Sequence, residues 1–405
     1  MLTTKNRLLY NPFDPALRVD PYPVYRRLRS EDPVHRSPLG FWALSRYDDV
    51  AALQRDSSLD FFSPVMYERI KDAIKDPASS SAKIARWLLF TDKRAHRRFR
   101  GLMGRYFTPR AVEAARPLIT VMVAELLDRL PTGEPADLMA GFAKLLPINT
   151  LCDWLGIPQE DRELCRGWAA AIGRILVSVL NPEMVRGKGD AVLACDAYLR
   201  VQVAERRRAP RDDLLSILLG AEDGGEPISD DELVAVIILL LGATYETTVN
   251  MLANGIHALL RNPDQLALLR NDPSLIGNAV DELLRYDSPS QLNGRWTSQD
   301  LEVGGTTIPA GSRLTLLIGA GNRDPERFSD PDRLDLRRPD PKPLSFGGGA
   351  HHCLGAWLAR LEAEIALSML LDRFRIGPIV EPLEWRSEPV AIHALRALPV
   401  EVSAR

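Results

Sequence analysis

Cys353 stands in PLSFGGGAHHCLGAWLARLEAEIALSMLLDRF, where a glycine-rich stretch runs into Leu354, Leu358, Leu361, Ile365 and Met369 at helical spacing. A cysteine at that helix start meets the positive end of the macrodipole and unpaired backbone N–H groups. Both lower its pKa and favour a thiolate able to bind metal. Gly347, Gly349 and Gly355 would let the backbone pass close to a flat cofactor. The other three cysteines, Cys152, Cys165 and Cys195, form no CxxC pair and lie in helical apolar patterns such as LCDWLGIP and VLACDAYL, the setting of buried free thiols.

Other readings of the loop stay open on these residues alone. GGG can be a flexible turn and Cys353 a packed thiol. A zinc site from His351, His352 and Cys353 would need three consecutive residues to converge on one tetrahedral ion, and spaced partners are missing. A phosphate loop would need a following Gly-Lys-Ser/Thr, which is absent.

A second constellation is GATYETTVN, where Thr244, Glu246, Thr247 and Thr248 interrupt an otherwise apolar run. Burying such groups needs a reason. Threonine hydroxyls bonding one turn back bend a helix and Gly242 weakens it, so a groove able to hold water is expected; a helix with one polar stripe is the plainer alternative. Glu282 and Arg285, three apart in NAVDELLRY, have the spacing of an ion pair that any exposed helix shares.

Helical patterns positioning these residues dominate from about 111 to 287, while short strand-like pieces such as RLTLLIGA at 313–320 lie among Pro, Gly and Asp turns. Ser229 and Glu232 form a capping-box pattern and Asn262-Pro263 a stop, which predicts a helix from Ser229 to about Arg261. Its run LVAVIILLL at 233–241 is too short for a membrane span, so the helix should cross the protein interior. AEDGGEPISD at 221–230 reads as a loop between helices. The fold class is mainly α with small β-sheets.

At 405 residues the length alone suggests two or three domains, yet no repeat or linker interrupts the chain, and one continuous domain over 1–405 is expected. With 45% hydrophobic and 26% charged residues, the composition supports a large core. A net charge of -3, from 51 basic and 54 acidic residues, points to neither nucleic acid nor membranes. MLTTKNRLLYNPFDP contains no apolar export segment or membrane anchor, so a cytoplasmic location is expected.

FGGGAHHCLG resembles the cysteine-loop signature of the haem-thiolate monooxygenases called cytochromes P-450, with Phe346, Gly347, Gly349, His351, Cys353 and Gly355 matching. The likeness extends from FDPALRVDPYPVYRRLR at 13–29 to the LAR at 358–360. It implies the mostly helical cytochrome P-450 fold, haem b, and Cys353 as axial iron ligand beside Phe346. It also implies that the haem lies between the helix carrying Glu246 and Thr247 and the helix following Cys353, with Ala243 against the cofactor. Charge-assisted partners for the haem propionates would be His96 and Arg100 of HRRFR, Arg295 of GRWTSQD, and His351.

By the same resemblance, Glu246 and Thr247 are the acid and alcohol that guide protons during dioxygen activation, although Thr244 stands where the family commonly has Gly. Glu282 and Arg285 become a structural ExxR element with Arg333 of DPDRLD as third partner. Electrons would come from NAD(P)H through a ferredoxin reductase and an acidic ferredoxin drawn to Lys93, Arg94, Arg97, Arg98 and Arg105. The implied reaction hydroxylates a small organic molecule, such as a natural-product intermediate. Oxidative coupling, desaturation, peroxide-driven oxidation, or a non-catalytic haem sensor are the alternatives. Substrate-covering segments are expected near 61–90 and 170–200, with Phe61, Phe62, Met66 and Leu292 as contact residues.

Overall fold

In the computed structural model, which describes residues 8–73, 75–177, 188–223, 226–387 and 390–405, the capping box forms as the sequence predicts. The Ser229 amide donates to Glu232 Oε2 at 2.9 Å and the Glu232 amide donates to Ser229 Oγ at 3.3 Å. The helices used below are, in chain order, α1 (Tyr47–Arg55), α2 (Lys93–Gly104), α3 (Arg116–Asp128), α4 (Leu146–Trp154), α5 (Arg162–Val177), α6 (Gly189–Arg208), α7 (Asp230–Arg261), α8 (Ile276–Tyr286) and α9 (Ala356–Arg373). Helices dominate and the sheets are small. The expected contact segment near 170–200 falls partly outside the described residues, at 178–187.

The chain divides into two compact units, each assembled from three separated segments. One comprises Met1–Pro64, His257–Cys353 and Glu384–Arg396. At its centre, β1 (Val34–Arg36), β2 (Phe41–Leu44), β5 (Arg313–Leu317) and β4 (Leu292–Trp296) form a four-stranded sheet in that spatial order. Strands β2 and β5 run parallel, with Phe41 opposite Arg313 and Leu44 opposite Leu316; the other pairs are antiparallel. The strand expected over 313–320 stops at Leu317 and turns helical at Ile318–Gly321. Gly319 and Gly321 permit this, because a Cβ on either would overlap Gln291 or Leu344.

The second unit comprises Val65–Ile256, Leu354–Leu383 and Ala397–Arg405. Its small sheet places β7 (Pro399–Ala404) between β6 (Phe374–Ile379) and β3 (Pro135–Asp137). The stretch read as a loop at 221–230 instead contains a two-residue ladder, Glu222–Asp223 against Glu226–Pro227. Helix α7 is long and apolar enough by length and composition to cross a membrane, more than its central run alone suggests, yet 67% of its most apolar window is buried inside the protein.

Helix α7 is continuous, so Gly242 does not break it. Its role is close approach: a Cβ there would overlap the Ile172 side chain of α5, while a Cβ on Gly173 of α5 would lie 2.8 Å from Glu246 Cγ and 2.9 Å from the Gly242 carbonyl. Gly101 in α2, by contrast, has open space where a Cβ would go. Gly101→Ala should therefore stabilise the protein by up to about 1 kcal/mol through helix propensity. Gly242→Ala should destabilise it by about 1–3 kcal/mol through overpacking despite the same propensity gain. Denaturant midpoints of the two variants check the opposite signs.

Candidate active site

The cysteine loop belongs to the first unit as far as Cys353, and the second unit resumes at Leu354. A 3₁₀ turn at Leu344–Phe346 leads to Gly347 at φ +70° and Gly349 at φ +62°, conformations that disfavour any side chain. Gly349 also lies so close to α1 that a Cβ would be 2.9 Å from Arg55 Cα. Its glycine is therefore required by the protein, whereas a Cβ on Gly355 would meet nothing. The Cys353 amide donates to the Phe346 carbonyl at 2.8 Å. Cys353 is exposed, while Cys152, Cys165 and Cys195 are buried and free. Helix α9 begins at Ala356 with Gly355 as N-cap, so Cys353 precedes the helix instead of opening it.

Three residues cluster near the loop in this unit. The Arg295 guanidinium carbon lies 5.0 Å from the centre of the Phe61 ring, which in turn lies 5.2 Å from the His351 ring. Arg295 is buried, and burial pushes its pKa down to about 10. It donates to the Gly294 carbonyl at 2.8 Å, and among the described residues no carboxylate pairs with it. A buried cation in that state suits an anionic group supplied from outside the chain. Leu292 is packed in the core beside Phe41 and Leu317, and Phe62 is also buried. Phe61 remains partly exposed, as does Met66 in the second unit.

In the second unit, Leu240, Ala243, Thr244 and Thr247 form a stripe at successive helical turns of α7 that is partly or fully exposed, although the helix is buried on both sides of it. Exposure among the described residues on so apolar a helix marks the stripe as a candidate ligand-facing surface. The Thr247 hydroxyl donates to the Ala243 carbonyl at 2.7 Å, the back-bonding expected of a mid-helix threonine. Glu246 is buried on the face toward Gly173, and its backbone carbonyl accepts from Asn250 Nδ2 at 2.7 Å. On α2, His96 is buried with Arg100 one turn later; burial first, then the Arg100 charge, lowers the imidazole pKa. The basic cluster is thinner than its sequence suggests, because Arg98 reaches Glu232 at 2.7 Å while Lys93, Arg94, Arg97 and Arg105 are exposed.

Glu282 and Arg285 of α8 form a fully buried bidentate pair, at 2.6 and 2.8 Å. The third partner is Arg338, whose Nε lies 3.1 Å from both Glu282 oxygens; this corrects the expectation for Arg333. The Arg333 side chain is exposed, and it is its carbonyl that accepts, from Arg285 and Arg338 at 3.1 Å each. Arg338→Ala should thus cost about 3–5 kcal/mol by leaving a buried carboxylate under-compensated, and Arg333→Ala less than about 0.5 kcal/mol. Equilibrium unfolding separates the two.

Glu362 of α9 carries a feature that sequence reading missed. It is buried, and desolvation raises its carboxyl pKa from 4.5 to about 8, with Thr150 of α4 pulling weakly the other way. The folded state then binds one more proton than the unfolded chain between those two values. Stability should fall as pH rises through that window. Glu362→Gln should flatten the slope and be the more stable form above pH 8, read from denaturation midpoints across the range.

The family model described as Cytochrome P-450 matches residues 194–396. Cytochrome P-450 107B1 of Saccharopolyspora erythraea is 40% identical, over 97% of this chain and 97% of its own length. The vitamin D(3) 25-hydroxylase of Pseudonocardia autotrophica is 37% identical over 100% of this chain and 99% of its own. Among solved structures, the bacillaene polyketide synthase cytochrome PksS of Bacillus subtilis 168 superposes with a TM-score of 0.86 at 34% identity, covering 98% of this chain and all of that one, 100%.

Proposed function

The chain belongs to the cytochrome P-450 family, and from that premise we propose that Cys353 is the thiolate that holds the haem iron and that Glu246 and Thr247 handle the protons the reaction consumes. The enzyme is a haem-thiolate monooxygenase that oxidises small organic molecules, using haem b and electrons from NAD(P)H passed on by redox partners. Haem bound at Cys353 supplies the activation of dioxygen. The observation carrying the assignment is the one surface thiol of the four, its amide tied to Phe346 and its loop pressed on α1.

Arg295 supports the haem reading independently. Its buried guanidinium lacks a carboxylate among the described residues, and a haem propionate would provide one. His351, His96 and Arg100 are the further propionate partners in this proposal. Thr247 Oγ1 has its proton directed at the Ala243 carbonyl, so its lone pairs are the part offered to the open stripe of α7. In that rotamer it accepts and orients a hydroxyl group, and a proton must reach it from elsewhere. Glu246, one residue earlier and held against Gly173, is the titratable group suited to hold that proton.

The substrate we infer is an apolar or mixed small molecule of the natural-product kind, supported by the polyketide and vitamin named in two relatives. A ferredoxin and its reductase are proposed as the electron source, the acidic ferredoxin docking on Arg94 and Arg97. The proposal places the enzyme in the cytoplasm, as expected of a family of soluble bacterial relatives.

The reduced protein under carbon monoxide should show the thiolate-type Soret band, and Cys353→Ser should abolish it; a histidine-type band, or an unchanged one in the variant, would refute the ligand assignment. Thr247→Ala should keep consuming NAD(P)H while electrons appear as hydrogen peroxide in place of product. Unchanged coupling would remove Thr247 from the proton route.

A further inference from the structure

Phe61 lies between two side chains assigned above to the haem carboxylates. Its ring centre is 5.0 Å from the Arg295 guanidinium carbon and 5.2 Å from the His351 ring, the latter inclined at 41°. Its position is set by backbone. Asp60 and Trp296 exchange two hydrogen bonds, at 2.9 and 2.8 Å, and this isolated antiparallel bridge holds Phe61 and Arg295, each next to one bridge residue, near one another. Behind it, the buried Phe62 packs edge-on at 5.0 Å. The loop bearing His351 is pressed against Arg55, at the end of the helix that leads into this segment.

A guanidinium over an aromatic face is attracted by the ring quadrupole and keeps its edge N–H groups available to a carboxylate. We propose that Phe61 is a positioning residue for haem: its ring fixes the Arg295 guanidinium and the His351 imidazole in the orientation from which both donate to the haem carboxylates. This gives the side chain a different task from the substrate contact expected of it, and it rests on the reading of Arg295 as a propionate partner.

The test is the rate at which the ferric holoenzyme loses haem to excess apomyoglobin, followed by absorbance. Phe61→Leu should lose haem roughly tenfold faster, and Phe61→Tyr, which restores the ring, should stay within about twofold of the parent. In an Arg295→Gln background, Phe61→Leu should add clearly less than tenfold, because of the two groups that it orients only His351 remains. Independent, fully multiplying effects of the two substitutions would overturn the proposal. So would an unchanged rate in Phe61→Leu when Arg295→Gln accelerates loss, or a change confined to substrate affinity. An unchanged rate in Arg295→Gln itself would instead overturn the propionate reading beneath it. Pentafluorophenylalanine at position 61 preserves the shape while reversing the ring quadrupole, so it answers the question even if Phe61→Leu does not fold. Faster loss supports the proposal, and parental loss overturns it.

Discussion

The loop from Leu344 to Gly355 contains only two short 3₁₀ turns, so its shape is imposed largely by what surrounds it. That imposition begins at the buried carboxylate of Glu282. Held bidentately, Arg285 is directed at the Asn322 carbonyl, 2.9 Å away, and the Asn322 side chain accepts from the Leu344 amide at 2.8 Å. The next residue is tied as well, with the Ser345 hydroxyl donating to the Leu284 carbonyl at 3.1 Å. From Leu344 the chain has few residues to turn before the Phe346 carbonyl takes the Cys353 amide. Disturbance of the ion network would therefore be felt at the sulfur, although no member of the network need touch the cofactor. Removing either charge leaves its partner desolvated, which keeps the arrangement stiff.

Helix α7 meets a different constraint. Its apolar residues favour complete burial, and the Gly242–Gly173 approach brings α5 tightly onto one face. Yet the stripe through Ala243 and Thr247 stays uncovered. The two facts are compatible because they concern different faces of the same turn. Close packing on one side fixes Glu246, while the adjacent side remains available to a ligand. A continuous, well-capped helix does this.

Much of this was legible from residue types and spacing. The capping box, the interior helix and the exceptional setting of Cys353 depend on local patterns, which a sequence displays directly. Apart from the short ladder at 222–227, the failures are tertiary. DPDRLDLRRPD offers several arginines within a short span, and only the path of the turn after Asp330, which has φ 44°, decides that Arg338 points inward and Arg333 outward. Glu362 in ARLEAE reads as an ordinary helix carboxylate until the packing of α9 buries it. The neighbours of Phe61 are likewise hidden in the sequence, because the bridge that sets them, Asp60 with Trp296, joins residues more than two hundred apart.

The interleaving of the two units has a bearing on biosynthesis. The first unit needs Glu384–Arg396 as well as its opening segment, and its parallel pair β2–β5 joins strands from opposite ends of the chain. At roughly 5–20 residues per second of translation, the early segment waits about 15–65 s for its last partners to emerge from the ribosome. Phe41, Ala43 and Leu44 lack the cover of β5 until it emerges, about 14–55 s after them at those rates. Completion of the unit that carries Cys353 is then a late event, set by the emergence of Glu384–Arg396.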